Sequence, residues 1–253
     1  MVLDHITGRW WGNKPFLAAN TNREFPQFDL NIPDQRRADI WLREFQEYVQ
    51  RGQMPSLMIV RLPNDHTAGA SAGAPTPQAY MADNDLALGR IVEAISKSPF
   101  WKNTLIAVLE DDAQNGPDHV DSHRSVLLMI SAYSRGGTMH RFTNTTDVLA
   151  TMEEVLKLDA LSQFDHYGRP LREIWSKEPD LEPYTALAPS VSLDMKNPAS
   201  GRDARESATL DFEFEDLADE QAFNHILWRT IKGEAVPYPG TSRMSALEWK
   251  RGW

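Results

Sequence analysis

Apolar residues recur at two spacings along this chain. After a first stretch to residue 33, rich in Asn, Pro, Gly and aromatics and read as irregular, Pro33-Asp34 opens a helical pattern. Ala38, Trp41, Leu42, Phe45, Tyr48 and Val49 fall on one face of it, and Gly52 ends it. Leu57-Met58-Ile59-Val60-Arg61-Leu62 is a short apolar run of buried-strand type. Small residues from Thr67 to Pro77 form a loop, and Leu88, Ile91, Val92 and Ile95 then mark a second helix. Leu105–Leu109 and Val126–Ile130 read as two further strands. Asn144-Thr145-Thr146 offers caps to a helix with Val148, Leu149, Met152, Val155 and Leu156 on its predicted apolar face. Beyond Ile174 the chain turns polar and Pro-punctuated, with one more helix expected around Leu217 to Ile231.

Strand, helix, strand with near-continuous apolar strands predicts a covered, mainly parallel sheet. The expected fold class is therefore α/β. Residues 1–175 would carry its body, and 176–253 would form an irregular wrap with one helix. The connection from Asp112 to Ser125 lacks a helical pattern, so Val126–Ile130 is expected to run antiparallel to Leu105–Leu109.

In open α/β sheets, ligands bind beyond the carboxyl ends of the strands. There the first run delivers Asn64, Asp65 and His66, and the second delivers Glu110, Asp111 and Asp112. An antiparallel return adds His119, Asp121 and His123 to the same rim. Carboxylate and imidazole are the donors of Mg, Mn, Ca, Fe and Zn sites, so a divalent metal ion is the expected cofactor. Taken singly, Asn64-Asp65 fits a plain turn equally well, His66 a surface histidine, and Asp111-Asp112 a capping turn. Both clusters falling at strand ends favours a site. His5, His166 and His225 carry no such signal, and His140 stays open.

Composition narrows the choice. The 253 residues hold 41% hydrophobic and 25% charged side chains, as globular proteins do, and suffice for a sizeable core. A net charge of -10 disfavours nucleic acid as a partner, while a metal could still attract a phosphate ester locally. No cysteine is present, which excludes disulfides, thiolate nucleophiles and Cys-based zinc sites. Neither a transmembrane run nor a leader peptide is visible in the sequence.

Three segments carry a family resemblance: Leu62–Thr67, Ala82–Arg90 and the long Glu110–Arg124 run. They resemble the bacterial phosphoesterase family, which includes phospholipases C and an acid phosphatase, within the alkaline-phosphatase-like superfamily. The resemblance spans roughly residues 25–240. It implies a three-layer α/β/α fold, a bound metal, and hydrolysis of phosphoric esters through a Ser or Thr nucleophile. It also makes Asp111 and Asp112 the paired metal ligands and Asp65 a metal-adjacent or phosphate-contacting residue beside Asn64. His66, His119 and His123 would then serve catalysis. The family's acidic-Asn segment and nucleophile are not found before Asp65, and neither Thr67 nor Ser122 matches that nucleophile. The chain is thus expected to be the C-terminal part of a longer enzyme, with an N-terminal region or a β-propeller elsewhere in it, exported to the periplasm or secreted. A non-catalytic remnant that binds metal or associates with a surface is the alternative expectation.

Overall fold

The helix expected from the first apolar stripe is present, and it organises everything around it. In a computed structural model describing residues 2–4, 9–11, 14–110, 125–134, 136–214 and 217–239, this helix is α2. It is preceded by an antiparallel pair, β1 (Val2–Asp4) and β2 (Arg9–Trp11), and by the short α1 (Pro15–Ala19). α2 runs Asp34–Arg51 and stops where Gly52 takes a left-handed φ of 65°. The Gln53 N–H then bonds to the Tyr48 carbonyl at 3.2 Å, a Schellman closure. α3 (Pro77–Ser96) starts under Thr76, whose hydroxyl accepts from the Ala79 N–H at 3.2 Å. Ala38 on α2 and Ala87 on α3 are fully buried; small residues there suit a close approach of the two helices. Trp41, Phe45, Ile91, Ile95 and Trp101 fill the rest of that core, with the Trp41 and Phe45 rings stacked at 4.8 Å.

β3 (Leu105–Leu109) and β4 (Leu127–Ser131) pair antiparallel, with Ile106 opposite Ile130, as expected for the two later runs. Both isoleucines pack on the α2–α3 core. α4 (Thr145–Leu156) is capped by Asn144, whose side chain accepts from the Asp147 N–H at 3.1 Å. α5 (Gln163–His166), α6 (Arg202–Ser207) and α7 (Glu220–Lys232) complete the order. Among the described residues no helix is long and apolar enough to cross a membrane.

The expected mainly parallel α/β/α sandwich is overturned. The described residues form seven α-helices and two separate two-stranded antiparallel sheets. Leu57–Leu62 is not a strand: Met58 and Leu62 turn onto the helical core, whereas Ile59 is 89% exposed. Without a strand at 57–62 the described residues contain no βαβ unit around α3, so the premise for parallel pairing disappears. α4 also differs. Its buried residues are Asp147, Val148, Ala150, Thr151 and Glu153, while Leu149 and Val155 of the predicted face are exposed. That helix is rotated because it buries polar groups against 169–171: Asp147 accepts the Arg169 N–H at 2.6 Å and Thr151 accepts the Leu171 N–H at 2.8 Å.

Candidate functional site

Asn64, Asp65 and His66 lie on one 3-10 turn, Pro63–His66. Two carboxylates from the facing helices hold it. The Asn64 N–H donates to Asp34 Oδ2 at 3.0 Å, and Asn64 Nδ2 donates to Asp83 Oδ2 at 2.7 Å. Asp83 also accepts the Asp34 N–H at 2.6 Å and the Gln35 N–H at 3.3 Å, so it caps α2 from outside that helix. A negative group there meets two of the N–H groups that a helix start leaves unbonded. Asn84 Nδ2 spans the Leu62 carbonyl at 2.7 Å and Asp34 Oδ2 at 3.1 Å.

Arg37 supplies the balancing charge. Its guanidinium reaches Asp34 Oδ1 at 3.2 Å and the carbonyls of Ile32, Gln27 and Asp29 at 2.6, 2.7 and 3.1 Å. Both side chains of this ion pair are wholly buried. Burial pushes the Asp34 carboxyl up to about 6, against the Asn64 hydrogen bond and the Arg37 charge. Burial likewise lowers Arg37.

Asp65 sits differently. Its carboxyl is raised first by burial and then by the nearby charge of Glu110; its own and the His66 N–H groups and Arg61 oppose the shift. Glu110 directly follows β3 in the chain. There the Glu110 N–H bonds to the Val126 carbonyl at 3.2 Å, and the Ser125 hydroxyl donates to the Glu110 carbonyl at 3.1 Å. His66 lies between the Phe28 ring, edge-on at 5.3 Å, and the Phe223 ring at 6.1 Å, with both ring nitrogens buried. Thr67 follows with φ 56° and ψ 167°, a conformation strained for a β-branched residue. Its hydroxyl accepts the Gly69 N–H at 3.2 Å. Gly69 must stay small, since a Cβ would meet Ser207 Oγ at 3.1 Å and the Phe223 ring at 3.2 Å.

The structure thus holds Asn64, Asp65 and His66 on one turn and sets His66 in an aromatic pocket. Asn64 spends its backbone and side-chain N–H donors on Asp34 and Asp83, which makes it a brace for the turn. Asp111, Asp112, His119, Asp121, Ser122 and His123 lie outside the described residues. His140 and His166 are exposed. Among the described residues no group of three or more His, Asp or Glu side chains could hold a metal. Beside the turn, a cleft of about 1450 Å³ is bordered by Phe28, Asn64, Tyr80, Asp83, Lys196 and Phe212.

Asp34, Arg37 and the structural role of Asp83 and Asn84 were missed by sequence reasoning. The signal was there: Asp83 lies at four-residue spacing with Ala87, Ile91 and Ile95, on the buried stripe of α3. A carboxylate in that register is either an error of patterning or the anchor of a buried network. Compared with family models, with curated proteins and with solved structures, the chain matches none of them.

Proposed function

We propose that this chain carries part of a metal-dependent phosphoric ester hydrolase site, built from the Asn64–His66 turn and the residues that follow β3. The observation that supports this reading is the Asp65 carboxyl, raised by burial and then by the charge of Glu110, which Asp111-Asp112 follow in sequence. Neighbouring carboxylates repel each other unless a cation neutralises them. Oxygen donors favour a hard divalent ion. Asp65, Asp111 and Asp112 are the residues that would hold it, and Asn64 would keep the turn in place. A bound metal polarises a phosphoryl oxygen and stabilises an attacking oxygen. His119 and His123 are the candidates for moving the proton to the leaving group. His66 is shielded from solvent by Phe28 and Phe223, which limits it to a part that needs no exposed nitrogen.

A second reading is a domain that binds metal or associates with a surface without catalysis. Thr67 favours it: the hydroxyl that directly follows the turn in sequence is buried and accepts the Gly69 N–H.

The test is metal content of the purified protein together with hydrolysis of a chromogenic phosphate ester. Asp65→Asn and the Asp111→Ala/Asp112→Ala pair are compared with wild type. The hydrolase reading expects stoichiometric divalent metal and a drop of at least ~100-fold in metal affinity in both variants, with turnover if the chain supplies its own nucleophile. Metal without turnover supports a truncated enzyme. Equal metal content in all three proteins removes the metal site at Asp65, Asp111 and Asp112.

A further inference from the structure

Glu153 on α4 and Asp165 on α5 are both buried, and they meet over the turn that joins the two helices. Each accepts the Leu161 N–H, Asp165 Oδ2 at 2.6 Å and Glu153 Oε1 at 3.3 Å, and the two carboxyl groups hydrogen-bond to each other. Ionised carboxylates only accept, so one member of the pair must carry a proton. The surrounding donors decide which. Asp165 Oδ2 also accepts the Ser162 N–H at 3.2 Å, and its Oδ1 accepts the Ser162 hydroxyl. Such donors stabilise an anion, and the Ser162 hydroxyl is the main reason that the Asp165 carboxyl lies below its usual range. Glu153 is raised, by burial first and by its bond to Asp165 next, and so holds the proton.

The charged groups on the elements around the pair are engaged elsewhere. Arg172 bonds to Glu154, Arg169 reaches Asp147 at 3.3 Å, and Arg141 reaches Glu173 at 2.7 Å. Lys157, Asp159 and His166 are exposed. Among the described residues, Asp165 is the charge that acts on Glu153. The turn has little apolar burial to hold it, with Leu158 55%, Leu161 80% and Phe164 70% exposed. α4 itself is tied down through Asp147 and Thr151, which accept the N–H groups of Arg169 and Leu171.

We propose that Glu153 and Asp165 form a pH-operated latch on the turn 157–162, closed while one proton joins the carboxyls and open once Glu153 ionises. Ionisation replaces the hydrogen bond with two like charges in a buried contact. With α4 tied down and the turn holding little apolar surface, the turn is the part that yields. Opening then shifts Leu161 and Phe164, the apolar side chains that the closed turn presents to solvent. Glu153 is raised from an ordinary 4.5, so its contribution is full below about pH 4.5 and is lost as pH rises through its higher folded value. Asp165 is lowered from 3.8, and its contribution is lost only as pH falls through that lower value. The latch is therefore shut in mild acid and released towards neutral pH.

The test is hydrogen exchange of the Leu161 amide in the full chain from about pH 4.5 to about pH 8, corrected for the intrinsic rate and read beside carboxyl-carbon NMR of Glu153. Wild-type protection of Leu161 should fall at least ~10-fold, with its midpoint where Glu153 itself titrates. Glu153→Gln offers Asp165 an amide N–H and Leu161 a carbonyl, so its Leu161 protection should stay level over that range. The Ile91 amide, on the buried face of α3, carries any change in global stability and should behave alike in both proteins. Leu161 protection that is level in wild type, falls equally in Glu153→Gln, or breaks away from the Glu153 midpoint would each overturn the proposal.

Discussion

Asp34 carries the largest electrostatic burden of any described side chain at the site, because it is wholly buried, charged, and bonded to a turn, a guanidinium and an amide at once. Its carboxyl is pushed from 3.8 to about 6 by burial, so the folded protein holds the proton more tightly than the unfolded chain does. The stability that this adds is fully present below about pH 4 and is lost as pH rises through about 6. A shift of about two units corresponds to about 3 kcal/mol. Denaturant unfolding at pH 4 and pH 7 should therefore show wild type losing about that much relative to Asp34→Asn. A relative gain by wild type would mean that the Arg37 pair outweighs desolvation. Little of this was legible beforehand. Asn64 and Asp65 were singled out from their place after an apolar run, but that run is no strand, so they were reached through the wrong element. Asp83 was visible only as a polar residue on an apolar stripe, a pattern that names a buried group without naming its partners.

At the scale of elements, local chemistry was readable wherever one signal dominated. Pro33-Asp34 and Gly52 bracket α2, Asn144 caps α4, and the lack of a crossover helix between β3 and β4 foretold their antiparallel pairing. Leu57–Leu62 was misread because an apolar run fixes burial tendency, not hydrogen-bond partners, and those are tertiary. α4 was misread for the opposite reason: Asp147 and Thr151 are buried as acceptors for the backbone of 169–171, and hydrophobic periodicity cannot see such bonds. Gly168 makes that docking possible. A Cβ on it would sit 2.6 Å from the Thr146 carbonyl oxygen and 2.9 Å from that of Asp165, both backbone atoms. Gly168→Ala should thus cost about 1–3 kcal/mol in denaturant unfolding. Metal uptake, if it resides at Asp65, should be unaffected, since α4 makes no bond to the Asn64 turn among the described residues. An unchanged unfolding midpoint would show that α4 can shift away at no cost.

For the molecule as a whole, the Pro-rich segment after Ile174 does not behave as a separate appendage. Asp180 donates its N–H to the Ala132 carbonyl at 2.7 Å, and the Tyr184 N–H reaches the Ser96 hydroxyl at 2.9 Å. Asn197 is the strongest tie. Its buried side-chain nitrogen points to the carbonyls of Gly69, Ser71 and Pro75 at 2.9, 3.1 and 3.1 Å, in the loop that follows the candidate site. The backbone closes the same contact from both sides, with the Asn197 N–H on the Ala74 carbonyl at 2.8 Å and the Thr76 N–H on the Met195 carbonyl at 2.9 Å. Removing the amide leaves buried carbonyls without their donor, which costs about 2 kcal/mol. Asn197→Ala should then lower the melting temperature by about 5 °C. If the segment from 176 onward folds with the body, calorimetry will show one transition moving as a unit. A split into two transitions in the variant would instead mean that α2, α3 and the hairpin hold together alone, with the later segment docked on them.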